Sequence, residues 1–285
     1  MLYSEQQLIN YTRSYDVRTF ESEINQIIEI INDSLMSVHQ ATQVDCITNV
    51  EYFYIGSINN STNVNVAEPI DLIVKINNPF LRELNQKYIN TKSQKKKGSI
   101  CSTPVIQLIV GSIIQKSLTA VTSVYHSGSY IFVDSLAELG KTFRIFIVTS
   151  SSLSGECYGV NYAKNTEFVY NLHKGFDNFE IKNTQTKGNF SNLVKITKNI
   201  AYENNLKLDS NVLESLLYNV PNKYFVGTFN EQIIKVMNYI KLSNYSNFTT
   251  IDESGLLTEN GFYDISVYRL KKLIDALCQN FNSKI

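Results

Sequence analysis

The stretch Tyr54-Ile55-Gly56-Ser57-Ile58-Asn59-Asn60-Ser61-Thr62-Asn63-Val64-Asn65-Val66-Ala67-Glu68-Pro69-Ile70-Asp71-Leu72-Ile73-Val74-Lys75 decides how this chain of 285 residues is read. Tyr52 to Ile55 is a short aromatic strand that stops at Gly56-Ser57, and Ile70 to Ile76 is a second strand of β-branched and apolar residues. A Gly-Ser turn allows close backbone approach and offers a hydroxyl to phosphate oxygens. Carboxylates at i and i+2 on one strand point to the same face. There they can share two divalent ions that activate an attacking hydroxyl and bind leaving pyrophosphate. In this chain position i is Pro69 and position i+2 is Asp71.

Outward from that stretch, Phe20, Ile24, Ile27, Ile28, Ile31, Leu35 and Val38 recur at helical spacing and predict a long amphipathic helix over Val17 to Gln40. Between Asn77 and Ser102 the chain is polar, and Lys92 with Lys95, Lys96 and Lys97 reads as a solvated loop or as a patch for phosphates. Leu108 to Val121 reads as a buried helix or strand. Tyr130–Val133 and Thr142–Val148 read as paired strands. After Ser154 the pattern turns helical, over Asn192–Glu203, Asn211–Tyr218, Asn230–Leu242 and Ile265–Phe281, with Asp209-Ser210 as an N-cap signal. The expected class is α+β: a mixed sheet with a long N-terminal helix, packed on a C-terminal helical lobe. The expected domains are 1–155, the sheet core with its spine helix, and 156–285, a helical lobe completing a cleft.

Composition narrows the function. The 26 basic and 26 acidic side chains balance to a net charge of +0, which excludes a strongly basic protein held to nucleic acid by counterion release. A local basic groove, and with it a nucleic-acid partner, stays open. Cys46, Cys101, Cys157 and Cys278 form no C-x-x-C pair and the three histidines are scattered, so a zinc site is not expected. No apolar run approaches the ~20 residues of a membrane span, and no signal peptide is recognisable. The expected location is the cytoplasm. No P-loop, dinucleotide turn or nucleophile elbow is present.

The pattern G-S-x4-T-x6-P-x-D-L-I-V over Gly56 to Val74 resembles the G-S-x4-T-x6-D-x-D signature of the polymerase-β-like nucleotidyltransferase superfamily. It is most similar to oligoadenylate synthetases and bacterial cyclic-oligonucleotide synthases. Further matches follow in order: Asn165-Thr166-Glu167-Phe168; Leu193 to Lys198, resembling a helix with a phosphate-contacting lysine; and Val212 to Pro221, resembling a late helix and its Asn-Val-Pro turn. The resemblance implies that Gly56, Ser57, Thr62 and Lys198 bind the phosphates of a nucleoside triphosphate. It also implies that Asp71 is a catalytic metal ligand, with Mg or Mn as cofactor, and a role in antiviral defence.

The departures bear on activity. Pro69 stands where the first metal aspartate is expected, and the strand Thr142–Val148, expected to carry the third carboxylate, has no acid; Phe146 or a neighbour takes its place. Glu68 joins Asp71 at a metal only if a bulge at Pro69 turns it inward, and Asp134 and Glu138 are further acids nearby. Asp71 alternatively pairs with Lys75 or another lysine. The expected function is a degenerate nucleotidyltransferase-fold protein, catalytically impaired, that binds nucleotide or serves as a partner or scaffold subunit, including as a homodimer. Two alternatives stand beside it. One is an active enzyme making cyclic or linear oligonucleotide messengers through Asp71 with Glu68; the other is a pure protein-interaction module.

Overall fold

The computed structural model describes residues 3–14, 16, 21–42, 49–64, 68–77, 83, 85–86, 103–117, 121–127, 129–135, 142–150, 156–161, 166–206, 209–258 and 266–282. Val17 to Phe20, Cys46, Lys92, the Lys95–Lys97 triplet, Cys101, Glu138 and Asn165 lie outside the described residues. The chain forms two compact units. One is built from residues 1–15, 56–65 and 173–285, the other from 16–55 and 66–172.

The sheet unit holds helix α2 (Glu21–Thr42) and strands β1 (Val50–Ile55) and β2 (Ile70–Ile76). They are followed by helix α3 (Thr103–Ser117) and strands β3 (Val121–Ser127), β4 (Tyr130–Ser135), β5 (Thr142–Ser150), β6 (Glu156–Asn161) and β7 (Thr166–Asn171). The sheet runs β1-β2-β5-β4-β3, with β6 continuing from β5 and β7 from β6. β2 and β5 pair in parallel and every other pairing is antiparallel. The two central strands are buried along almost their whole length, which is why they read as continuous apolar runs rather than alternating ones. Ile24, Ile27, Ile31, Leu35 and Val38 of α2 are buried as the helical spacing requires, and α2 packs on α3.

Leu108 to Val121 resolves into helix ending at Ser117 and the first residue of β3. Its helical length separates the two readings that a short apolar run leaves open. The segment after Ser154 begins with the hairpin of β6 and β7 before the helices start. Cys157, Tyr158 and Val160 are buried there, and strands this short give little periodic signal.

The helical unit holds α1 (Glu5–Asn10), α4 (Leu172–Gln185, whose first residue is the last of the sheet unit), α5 (Asn189–Glu203), α6 (Ser210–Tyr218), α7 (Phe229–Leu242) and α8 (Val267–Asn282). Asp209 caps α6 by accepting from Asn211 N. Thr228 and Glu231 form a reciprocal capping box on α7. The α1 residue Glu5 accepts from the backbone N–H groups of Phe229 and Asn230, placing a carboxylate at the positive end of α7. Beyond α6, Asn219 donates to Ser215 O and Thr249 O and accepts from Thr249 N. The Asn-Val-Pro turn is therefore a terminator tied to a second segment.

Candidate functional site

The Gly56–Val64 loop is part of the helical unit. Gly56 has φ +61°, and a Cβ on it would lie 2.5 Å from Asn211 Oδ1, so both backbone conformation and space demand glycine. Asn60 N donates to Gly56 O at 3.0 Å and Thr62 N to Ser57 O at 2.8 Å, closing the loop on itself. Ser57 is buried beside them.

Two helices hold that loop. Glu214 of α6 accepts from Thr62 Oγ1 at 2.6 Å and from Asn60 Nδ2 at 2.7 Å. Lys198 of α5 donates to Thr62 O at 3.1 Å and Thr62 Oγ1 at 3.2 Å, with Nζ 3.8 Å from Glu214 Oε1. Thr62, Lys198 and Glu214 are each at most 1% exposed, so the ammonium and carboxylate balance one another inside a buried hydrogen-bonded cluster, in which Asn60 Oδ1 is left without a hydrogen-bond partner among the described residues. Thr62 Oγ1 accepts from the lysine and donates to the glutamate, which fixes its orientation. Lys195, one turn earlier on α5, donates to Ser14 Oγ at 3.4 Å, and Ser14 Oγ donates to Ser61 O at 2.6 Å. Burial, and secondarily the Lys198 ammonium, lowers the pKa of Lys195. With Lys198 balanced by Glu214, Lys195 is the cation that adds positive charge beside this closed turn of small side chains.

In the sheet unit, Asp71 on β2 is in register with Arg144 on β5. Arg144 Nε donates to Asp71 Oδ1 at 2.5 Å and Nη2 to Oδ2 at 2.6 Å. The guanidinium also lies 5.8 Å from the Tyr130 ring, on the face where Tyr130 meets Phe146 and Phe132 stacks on Tyr125. The residue of β5 that faces Asp71 is thus Arg144, not an acid. Lys75 pairs with Glu51 at 2.8 Å.

These residues do not fit a two-metal centre. Pro69 brings no ligand, both oxygens of Asp71 are engaged by a cation, and the residue in register with Asp71 on β5 is that cation rather than an acid. Glu68 is buried, but no group of three or more His, Cys, Asp or Glu side chains among the described residues is arranged to hold a metal ion. Asp134 accepts from Ser123 Oγ and Thr142 Oγ1 and sits on β4, two strands from β2. That separation is roughly 10 Å at the usual strand spacing.

The structure therefore brings together Gly56, Ser57, Thr62 and Lys198 in one cluster, and joins Asp71 to a partner not anticipated. Asn60, Asn211, Glu214 and Arg144 were missed as site residues. The signal for two of them was available: Arg144 is the one charge in Thr142–Val148 and Glu214 the one charge in Val212–Leu217. A charge inside an apolar run must be buried with a partner.

Residues 177–282 match the family model of the cGAS/DncV-like nucleotidyltransferase C-terminal helical domain. A cyclic UMP-AMP synthase of Rhodothermus marinus is 26% identical over 219 residues, covering 70% of this chain and 73% of the relative. A cyclic dipurine nucleotide synthase of Elizabethkingia meningoseptica is 24% identical over 287 residues, covering 91% and 92%. The fold is shared with the solved structures of these two types of synthase, at TM-scores of 0.65 (16% identity, 99% of this chain and 97% of the other) and 0.66 (19%, 99% and 100%). The cyclic AMP-GMP synthase DncV of Vibrio cholerae is similar at a TM-score of 0.64, with 9% identity over 93% of this chain and 84% of the other. The α+β nucleotidyltransferase fold and the resemblance to cyclic-nucleotide synthases are both borne out. No helix among the described residues is long and apolar enough to cross a membrane.

Proposed function

We propose, from a fold and a C-terminal lobe shared with cyclic-nucleotide synthases, that this chain binds a nucleoside triphosphate without turning it over and acts as a nucleotide-responsive partner or scaffold subunit. The observation that carries the reading is the ion pair of Asp71 with Arg144. A carboxylate committed to a guanidinium, with proline in place of its companion, has lost the negative charge that concentrates divalent ions. The phosphate loop, in contrast, is built and held. Gly56 and Ser57 supply the turn, Thr62 is oriented by Lys198 and Glu214, and Lys195 adds positive charge. Lys198 is a positioning residue in this scheme: it reaches the phosphates through the Thr62 backbone and hydroxyl.

Solved structures of two relatives carry the nucleotide analogues Apcpp and Upnpp, and GTP with Apcpp, which supports a triphosphate as the ligand class. The same relatives are named as synthases. That favours a second reading, in which Mg or Mn restores turnover through Asp71 and Glu68 once Arg144 is displaced. Incubation with labelled ATP, GTP, CTP and UTP plus Mg²⁺ or Mn²⁺ separates the two. The expected result is no pyrophosphate release and no oligonucleotide product, with ATP raising the melting temperature equally in Mg²⁺ and in EDTA. A product that disappears in Asp71→Ala overturns the proposal in favour of the second reading. Neither product nor stabilisation leaves a pure interaction module.

A further inference from the structure

A cavity of about 490 Å³ opens on the helical unit, lined by Tyr224, Lys235, Asn238, Tyr239, Leu242 and Ser243. None of these residues belongs to the loop cluster around Thr62. The Tyr224 and Tyr239 rings are 5.1 Å apart with their planes 38° from each other, so they meet as a shallow wedge. Lys223 lies with its ammonium 5.2 Å from the Tyr224 ring. Lys235 Nζ donates at 3.1 Å to the carbonyl of Val226, an exposed residue, so water readily replaces that bond. Leu242 is 86% exposed at the rim. The lining carries a cation and no acid.

We infer that this cavity is a second nucleotide site that takes a nucleoside monophosphate. A planar base stacks on aromatic faces whatever its identity, and the Tyr224–Tyr239 pair, whose rings already touch each other, offers it an outer ring face. The side-chain amide of Asn238 both donates and accepts, which matches the edge of a base. Lys235 and Lys223 face the phosphate, and covering Leu242 removes exposed apolar surface from water. The volume lies within the roughly 300–1,000 Å³ of small-molecule sites. Another cavity, about 130 Å³ and lined by Lys241, Asp275, Cys278 and Gln279, is too small and carries an acid.

The test is calorimetric titration of the intact chain with AMP and GMP, with tyrosine fluorescence recorded in parallel. Saturable binding with quenching is expected for both. Tyr239→Ala and Lys235→Glu each weaken it by about tenfold or more, while Lys235→Arg keeps it within about threefold. Circular dichroism melts identify any variant that fails to fold, and Lys235→Glu, on an exposed side chain, stays informative if Tyr239→Ala does not. Absence of binding, or binding indifferent to both substitutions, overturns the proposal. AMP lacks the β- and γ-phosphates, so the outcome is separate from the triphosphate reading above. If the Thr62 loop holds nothing, ATP and AMP behave alike, yet Tyr239-dependent binding persists.

Discussion

Arg144 and Asp71 face each other across β5 and β2 and share two hydrogen bonds, of 2.5 and 2.6 Å, with 7% and 2% of their surfaces exposed. A fork-on-fork guanidinium–carboxylate pair is strong and geometrically specific, and removing one member of a buried pair leaves a charge without a partner. Arg144→Ala is expected to cost about 3–5 kcal/mol of unfolding free energy. The double variant Asp71→Leu with Arg144→Met should recover most of that loss, because two apolar side chains leave no charge to compensate. Urea unfolding of the three proteins checks this. A loss below about 1 kcal/mol in Arg144→Ala would mean that the pair behaves as a surface one.

The same pair predicts what is needed to build a metal site. Pro69 precedes β2, two residues before Asp71, and Arg144 is in register with Asp71 on the neighbouring strand. Pro69→Asp combined with Arg144→Asp therefore puts three carboxylates around one point. Three unpaired acids repel each other until a cation joins them, so Mn²⁺ should raise the melting temperature of the double variant. At a hundredfold excess over Kd the gain is about 2.7 kcal/mol, whereas the native chain should not respond. Equal Mn²⁺ responses in the two proteins would refute the idea that Arg144 fills the metal position.

Strands β1, β2, β4 and β5, the long helix and the helices from α5 onward were legible in the sequence because each is an apolar run or strongly periodic, whereas β3 and α4 were not. Ile24, Ile27, Ile31, Leu35 and Val38 announce α2 by spacing alone, and all are buried. The β6–β7 hairpin was not legible. Its burial is set by pairing along the end of β5, which no local pattern encodes. At the site, Pro69 was visible where a carboxylate was expected, while the partner of Asp71 was not. Lys75 is closer to Asp71 in sequence, yet it pairs with Glu51 on β1. Arg144 reaches Asp71 only because β2 and β5 are parallel and in that register. The partners of Glu214 were hidden for the same reason: Asn60 and Thr62 are about 150 positions away.

Glu214 supports the loop by two means that substitution can separate. Its oxygens take two neutral hydrogen bonds, and its charge answers Lys198. Glu214→Gln keeps one acceptor but abandons the buried ammonium, and Glu214→Ala abandons both. The expected losses are about 2 kcal/mol for glutamine and about 3–5 kcal/mol for alanine. Lys198→Met combined with Glu214→Leu should be milder than Glu214→Ala. Chemical denaturation measures all three, and equal losses in Glu214→Gln and Glu214→Ala would show that the charge alone matters.

Lys182 gives the fold a pH dependence above neutrality. Its ammonium is buried, donates to the backbone carbonyls of Tyr218 and Val220, and lies within 6.0 Å of the Phe190, Tyr218 and Phe225 rings. Burial pulls its pKa down to about 8, while the unfolded chain keeps that proton to about 10.4. Between these values the unfolded state binds the extra proton, so stability rises with pH rather than falling. Tyr218 works the other way, because burial and its bond to Glu253 raise it to about 12, and this removes stability only above about pH 10. Between pH 8 and 10 the Lys182 contribution is a gain on the order of 2 kcal/mol, opposed in the same window by Cys157 and Cys278, whose thiols burial raises above their ordinary value. In urea midpoints at pH 7.5, 8.5 and 9.5 the native chain is expected to gain on Lys182→Met as the pH rises, the thiol contributions being common to both proteins. Parallel slopes in the two proteins would assign the pH dependence to other groups and leave Lys182 charged throughout.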